Sequence, residues 1–312
     1  MKEVSIIGTV GVPANYGGFE SLVENIIGYN SLDDIHYTVY CSAKGYPHRQ
    51  SVYKNADLKY VPLDANGSQS ILYDIISLIK ATKKSDVVLI LGVSGCCFLP
   101  IYRLFSKKRL IINIDGLEHR REKWGKYAKA FLKFSEKMAV KHADVVVADN
   151  KGIQDYVKKE YRTETELIAY GGDHVLCDIT DVEEEILEKY GLKNISYSFS
   201  LCRIEPENNV HVILEAFKAS GKELFFVGNW NRSPYGKSLL EKYAKYGNIH
   251  LLSPIYDVKT LNVLRGHCSF YIHGHSAGGT NPSLVEAMFF GKPILALSLI
   301  HISEPTRHAQ IS

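Results

Sequence analysis

"VVLILGVSGCCFLPIY", Val87 to Tyr102, is the most apolar stretch of the chain, and its reading decides the fold. A helix that crosses a bilayer needs ~20 predominantly apolar residues. This run falls short of that length and contains Gly, Ser and Pro. It reads instead as a strand, a loop and the start of a helix. The same order then repeats on both sides. "EVSIIG", "HYTVYCS", "LKYVP", "RLIINI", "DVVVAD" and "TELIAY" are short β-branched runs. Helix-length segments such as 19–29, 69–82 and 122–142 lie between most of them. Near-continuous apolar strands separated by helices predict a parallel sheet covered on both faces.

This first series ends at "AYGGD", 169–173. A polar, acid-rich stretch follows, "DITDVEEEILEKYGLKN", and the alternation then resumes. "SYSFSL", "ELFFVG", "NIHLL", "CSFYIHG" and "KPILAL" read as strands, with helices at 209–219, 233–246, 258–265 and 282–290. The chain of 312 residues is long enough for two domains. The expected layout is a doubly wound α/β domain over 1–173, a linker at 174–195 and a second such domain over 196–297. Ligands of open parallel sheets bind at the carboxyl ends of the strands. Two facing units would place a cleft between them.

The bulk composition is that of a soluble globular protein, 46% hydrophobic and 23% charged, and a net charge of +3 asks for no nucleic-acid partner. The six cysteines form no CxxC pair or metal-ligand spacing and read as buried free thiols of a reducing compartment. The first residues hold no signal peptide, so a cytoplasmic location is expected.

Four loops carry chemistry. "GTVGVPANYGGFES", 8–21, joins the first strand to the first helix. Gly17 and Gly18 either let backbone approach an anion at a helix start or form an ordinary turn. The dinucleotide fingerprint GxGxxG is absent. "NIDGLEHRREKW", 113–124, crowds Asp115, Glu118, His119 and two arginines at a strand end. Asp115 and Glu118 suit either proton transfer or a charged surface cap, and His119 reads as a surface or core residue. The helix beyond is basic and amphipathic. Its lysines are either a solvated face or a surface resting on anionic lipid. In "LCRIEPENN", 201–209, Arg203 is the single cation, placed to grip phosphate oxygens unless it pairs with Glu205 or Glu207. "GGTNPSLVEAM", 278–288, leads into a helix whose first N–H groups suit a diphosphate, with Pro282 at its first position. Glu286 stands among Leu284, Val285, Ala287 and Met288, where a carboxylate could accept two ribose hydroxyls.

Taken together, "RIEPENN" and "GGTNPSLVEAMFFGKPILA" resemble glycosyltransferase family 4 (GT4), which has the GT-B fold of two Rossmann-like domains. "GVPANYGGFESLVENI" and "IDGLEHRREKW" look like the rhamnosyltransferase branch that builds capsule and cell-wall rhamnans. The resemblance implies transfer of a sugar from a nucleoside diphosphate sugar to a hydroxyl, with retention and without a metal or other cofactor. It places the donor on the second domain and the acceptor on the first. Arg203 matches the family's diphosphate-binding Arg. The Lys that usually follows is Asn208 here, the first of the family's two Glu is Gly278, and Asp115 stands where many relatives have a His.

The implied site has Asp115 and Glu118 at the reacting centre. Arg203, Gly279, Thr280, Asn281, Ser283, Leu284 and Glu286 hold the donor, and Tyr16, Gly17 and Gly18 form the facing loop. The expected donor is dTDP-rhamnose. The acceptor is a lipid-linked saccharide at the inner face of the plasma membrane. Two other functions remain open: a nucleotide-sugar-binding protein without turnover, and a GT-B epimerase that acts on the nucleotide sugar alone.

After "GKPILAL" the pattern stops. "LSLIHISEPTR" resembles translated sequencing-adapter DNA, so 298–312 is expected to be a non-native tail and the second domain incomplete. An unpaired sheet edge there predicts poor solubility and an inactive chain.

Overall fold

The computed structural model describes residues 1–14, 17–29, 34–114, 116–120, 124–276 and 280–296. The chain separates into two compact units, Met1–Ala169 and Tyr170–Ser312. Both are parallel α/β layers, as the alternation of strand and helix patterns predicts. The suspected tail, 298–312, lies outside the described residues.

The first unit runs β1 (Lys2–Ile7), α1 (Gly18–Gly28), β2 (Ile35–Ser42), β3 (Val52–Tyr53), β4 (Ala56–Val61), α2 (Ser70–Thr82), β5 (Val87–Leu91) and α3 (Leu99–Phe105). It continues with β6 (Arg109–Ile114), α4 (Lys126–His142), β7 (Val145–Ala148), α5 (Lys151–Tyr161) and β8 (Glu166–Leu167). The sheet order is β3-β4-β2-β1-β5-β6-β7-β8, parallel except for the short antiparallel β3–β4 pair at its edge. Alternation along β1 sends Ile6 to one core and Ile7 to the other. The Val87–Tyr102 stretch is β5, a short loop and the start of α3. Its strand is buried because it lies between β1 and β6.

The second unit holds α6 (Glu183–Lys189), β9 (Tyr197–Leu201), α7 (Val210–Ser220), β10 (Glu223–Val227), α8 (Pro234–Tyr243) and β11 (Ile249–Leu252). These are followed by α9 (Val258–His267), β12 (Phe270–His273), α10 (Pro282–Met288) and β13 (Ile294–Ala296). The order β11-β10-β9-β12-β13 is parallel throughout. Phe225 and Tyr271 face one core, Phe226 and Ile272 the other.

The stretch expected as a linker, 174–195, folds into the second unit. Val175, Ile186 and Leu192 are buried. Leu192 packs with Leu187 and Tyr190 into the same core as α9 and α10. The acids of α6 disguise a one-sided helix whose apolar positions face inward. The cysteine expectation also needs correction, because Cys177 is exposed while Cys41, Cys96 and Cys268 are buried. No described helix is long and apolar enough to cross a membrane.

Candidate functional site

A doubly wound sheet reverses its winding at one point, and the loops there splay apart to leave a crevice. In the second sheet the reversal falls between β9 and β12. The loops that leave these strands hold Arg203 and the segment 274–276. They are tied together. Asn208, 3% exposed, donates from Nδ2 to the Arg203 carbonyl (2.6 Å), and its Oδ1 lies 2.5 Å from Nδ1 of His275. Since the amide oxygen can only accept, His275 carries its proton on Nδ1. Asn209 donates to the Gly274 carbonyl (2.8 Å), and both the amide and the hydroxyl of Ser276 donate to the Glu207 carbonyl. Gly274 is required by this approach, because a Cβ there would collide with the Asn208 carbonyl. Asn208 is thus a fastener of the Arg203 loop.

His273 ends β12 and stacks against Tyr271, the rings 21° apart. It is 3% exposed, and its Nε2 has no hydrogen-bond partner. Burial, together with neighbouring His275, pushes its pKa down to about 4, so the ring is neutral at physiological pH. An orphaned buried nitrogen at this position is satisfied by a water or by a polar group of a ligand.

α10 begins beside the carboxyl end of β9, where the Ser283 hydroxyl donates to Asn281 Oδ1 (2.6 Å) and lies 3.2 Å from the Leu201 carbonyl. Asn281 caps the helix by accepting the Ser283 amide at Oδ1 (3.1 Å). The Leu284 amide donates to the Asn281 carbonyl (3.0 Å), and the Leu284 side chain packs into the core. The Asn281 cap thus takes the amides of Ser283 and Leu284, two of the first N–H groups of this helix. Thr280 precedes the cap; Gly279 lies outside the described residues.

Glu286 is not stranded. Its Oε2 accepts from Nη2 of Arg265, a guanidinium 1% exposed in α9, and its Oε1 meets His174 Nε2 at 3.2 Å. Burial pushes the carboxyl up, but the His174 and Arg265 contacts outweigh it and hold the group below its ordinary value. An ionised carboxylate has about four acceptor positions. One further direction on each oxygen therefore remains for hydroxyl donors. Neither Arg265 nor His174 is apparent from motif spacing. The available signal for Arg265 is a charge on the stripe of Leu261, Leu264 and Cys268 that α9 buries.

In the first sheet the reversal lies between β1 and β5. Gly8 (φ +87°) turns the chain there, and a Cβ would collide with the Leu91 carbonyl. Gly17 caps α1 and Gly18 opens it. The loop amides are met by the helix's own acids. Buried Glu20 accepts from the Val10 amide (2.8 Å) and the Thr9 hydroxyl (2.7 Å), and Glu24 accepts from the Ala14 amide (2.8 Å). These carboxylates make the loop a poor host for phosphate at those amides and a good one for sugar hydroxyls. Tyr16 lies outside the described residues.

Asp115 also lies outside them. Glu118 sits in the turn after β6 and accepts from the Trp124 indole (3.3 Å). His119 is a partly buried residue of that turn. Its Nδ1 lies 3.0 Å from Oε2 of Glu136, a carboxylate 1% exposed in α4, and burial lowers the His119 pKa. The other Glu136 oxygen accepts from Tyr156 (2.7 Å) and Tyr161 (2.5 Å) of α5. Glu136 thus pins the loop after β6 to two helices.

This pair of Rossmann-like units is the GT-B fold, and solved structures share it. Sucrose-phosphate synthase from Thermosynechococcus elongatus is 14% identical over 96% of this chain and 82% of its own, with a TM-score of 0.77. Anabaena HepE in complex with UDP is 14% identical over 96% and 81%, with a TM-score of 0.68. UDP-GlcNAc 2-epimerase from Neisseria meningitidis bound to UDP-GlcNAc is 16% identical over 99% and 88%, with a TM-score of 0.57. At these identities the likeness is one of fold. The chain belongs to the family described as a domain of unknown function (DUF1972), whose model matches residues 1–173. No curated protein matches the chain.

Proposed function

We propose that the chain is a glycosyltransferase that moves a sugar from a nucleoside diphosphate sugar to a hydroxyl of a saccharide. The observation that carries this reading is the fastened crevice between β9 and β12, with Arg203 on one loop and the paired Glu286 on the helix that follows the other. Arg203 is the cation for the diphosphate, and Glu286 receives the ribose hydroxyls on its remaining lone pairs. The first unit's carboxylate-lined loop and Glu118 face the acceptor hydroxyls.

In a retaining front-face transfer the bond from the sugar's anomeric carbon to the diphosphate breaks as the acceptor oxygen attacks from the same side. The departing phosphate oxygen takes the acceptor's proton. The protein positions both partners and stabilises the charge that builds on the diphosphate. No metal enters this reading. The finer proposal is dTDP-rhamnose as donor in family GT4, a lipid-linked glycan as acceptor, and work at the inner face of the plasma membrane.

The test is nucleotide release and product formation with dTDP-rhamnose, UDP-glucose and GDP-mannose, each with a lipid-linked saccharide. Transfer from a donor other than dTDP-rhamnose keeps the class and removes the donor. Failure with all three overturns the transferase. A second reading is favoured by the likeness to an epimerase bound to its nucleotide sugar. Conversion of a nucleotide sugar without any acceptor would establish it.

A further inference from the structure

Exposed apolar side chains are ordinary when single and informative when grouped. α3 and α4 pack side by side over one face of the first sheet, burying Leu99 and Tyr102 from one and Ala139 and Val140 from the other. Their outer faces are not polar. Leu104 is 85% exposed, Phe105 61% and Ile101 55% on α3, and Tyr127 is 94% and Phe134 49% exposed on α4. Tyr127 and Phe134 lie two turns apart on the exposed stripe that continues through Lys137 and Lys141.

The charges around these residues have one sign. α3 contains no acid, and the single acid of α4, Glu136, is buried. Asp144 is bound to Arg103 at 2.7 Å. Lys107, Lys108, Lys129, Lys137 and Lys141 make no ion pair among the described residues. Lysines elsewhere on the chain are paired in several places. Lys193, Lys218 and Lys259 each reach a carboxylate at 2.5, 2.8 and 2.7 Å.

We propose that the outer faces of α3 and α4 dock on an anionic bilayer surface. Ile101, Leu104, Phe105 and Phe134 enter the headgroup boundary, Tyr127 sits at its polar edge, and the lysines meet lipid phosphates. Protein interfaces are depleted in Lys, whereas a bilayer interface accommodates an apolar centre with a lysine rim because the long stems reach back to the headgroups. This surface takes from the proposed function only the expectation of a membrane-borne acceptor, and it stands on its own contacts.

The full chain is sedimented with phosphatidylcholine vesicles and with vesicles containing 30% phosphatidylglycerol. Binding is expected only to the anionic vesicles, falling at least tenfold in 0.5 M NaCl. It should fall as far in Lys107→Glu/Lys137→Glu/Lys141→Glu and in Leu104→Ser/Phe105→Ser. All these positions are exposed, and an unchanged thermal melt verifies the fold. Equal binding to both vesicle types, no binding, or a charge-reversed variant that binds like the parent overturns the proposal. So does a dimer in sedimentation velocity that Leu104→Ser/Phe105→Ser dissolves, since a second copy would then own the face. Calorimetry with UDP-glucose and dTDP-rhamnose separates the two ideas. Nucleotide binding without vesicle binding removes only the docking surface, and the reverse removes only the transferase.

Discussion

The two sheets reverse at equivalent places and finish the loops there differently. Between β1 and β5, the acids of α1 occupy the loop's own amides, and the Tyr73 hydroxyl lies 2.8 Å from both the Thr9 and the Tyr40 carbonyls, so helix side chains brace the loop. Between β9 and β12, amide side chains tie one loop to the other, and the buried charge is a pair, Arg265 with Glu286, one helix turn beyond the Asn281 cap. One scaffold therefore yields an acidic, hydroxyl-friendly loop in the first unit and a cation-bearing, fastened loop in the second. The difference lies in which side chains satisfy the amides, not in the backbone plan.

The chain's two tryptophans, Trp124 and Trp230, fall one in each unit, so fluorescence follows each unit separately in backgrounds that keep one of them, Trp230→Phe for the Trp124 signal and Trp124→Phe for the Trp230 signal. Arg265→Met is expected to be the most damaging change, because it leaves a buried carboxylate without its guanidinium. Breaking such a pair costs about 3–5 kcal/mol. Urea unfolding should show the loss in the Trp230 signal and spare the Trp124 signal. A uniform loss in both would mean that the units do not unfold independently.

Acid should then act on the two units in opposite senses through two buried groups. His273 titrates at about 4 in the fold against an ordinary 6.5. Between those values the unfolded chain binds more protons, so His273 withdraws stability as pH falls, by up to about 1.4 kcal/mol per pH unit. Burial raises the Asp74 carboxyl to about 8 from 3.8. The folded first unit therefore holds the extra proton, and Asp74 withdraws stability as pH rises through that window. Glu286, held low, adds stability that is complete above its ordinary 4.5 and is lost as pH falls through its folded value. The gap between parent and His273→Asn should narrow from pH 7 to pH 4. The gap between parent and Asp74→Asn should run the other way. Parallel curves in either case would refute that group's assignment.

Glu136→Gln should cost the first unit about 2 kcal/mol, since an amide cannot accept from His119, Tyr156 and Tyr161 as a carboxylate does. The Trp124 signal checks it. The smallest effect is expected at the α10 cap, where Asn281→Ala should cost about 1 kcal/mol in the Trp230 transition. A loss no larger than a surface substitution would show that the cap is replaced by neighbouring groups.

The strands were readable because buried parallel strands are apolar end to end, as in Val87–Leu91 and Val145–Ala148. The edge strand β3 was not, since its two residues carry no period. α6 was hidden by Glu183, Glu184 and Glu185, which signal solvent while Ile186 turns inward. The candidate site was legible, as a set of candidates, only where a motif is local, as with Arg203 and Glu286. It was opaque where the partner is remote: Arg265 lies 21 residues from Glu286 and His174 lies 112 away. Side-chain occupancy of helix-start amides also escaped sequence reading, because the pattern locates a cap without saying which amides it consumes.

The Asn208–His275 and Asn209–Gly274 ties have a kinetic consequence. They hold residues 203–209 and 274–276 together through the chain's own groups, so the ordering of those backbones belongs to folding rather than to recognition. A nucleotide that meets a preset loop loses less entropy on capture. On the proposed function, nucleotide-sugar association should therefore be a single concentration-dependent phase, with differences among donors expressed in how long each one stays.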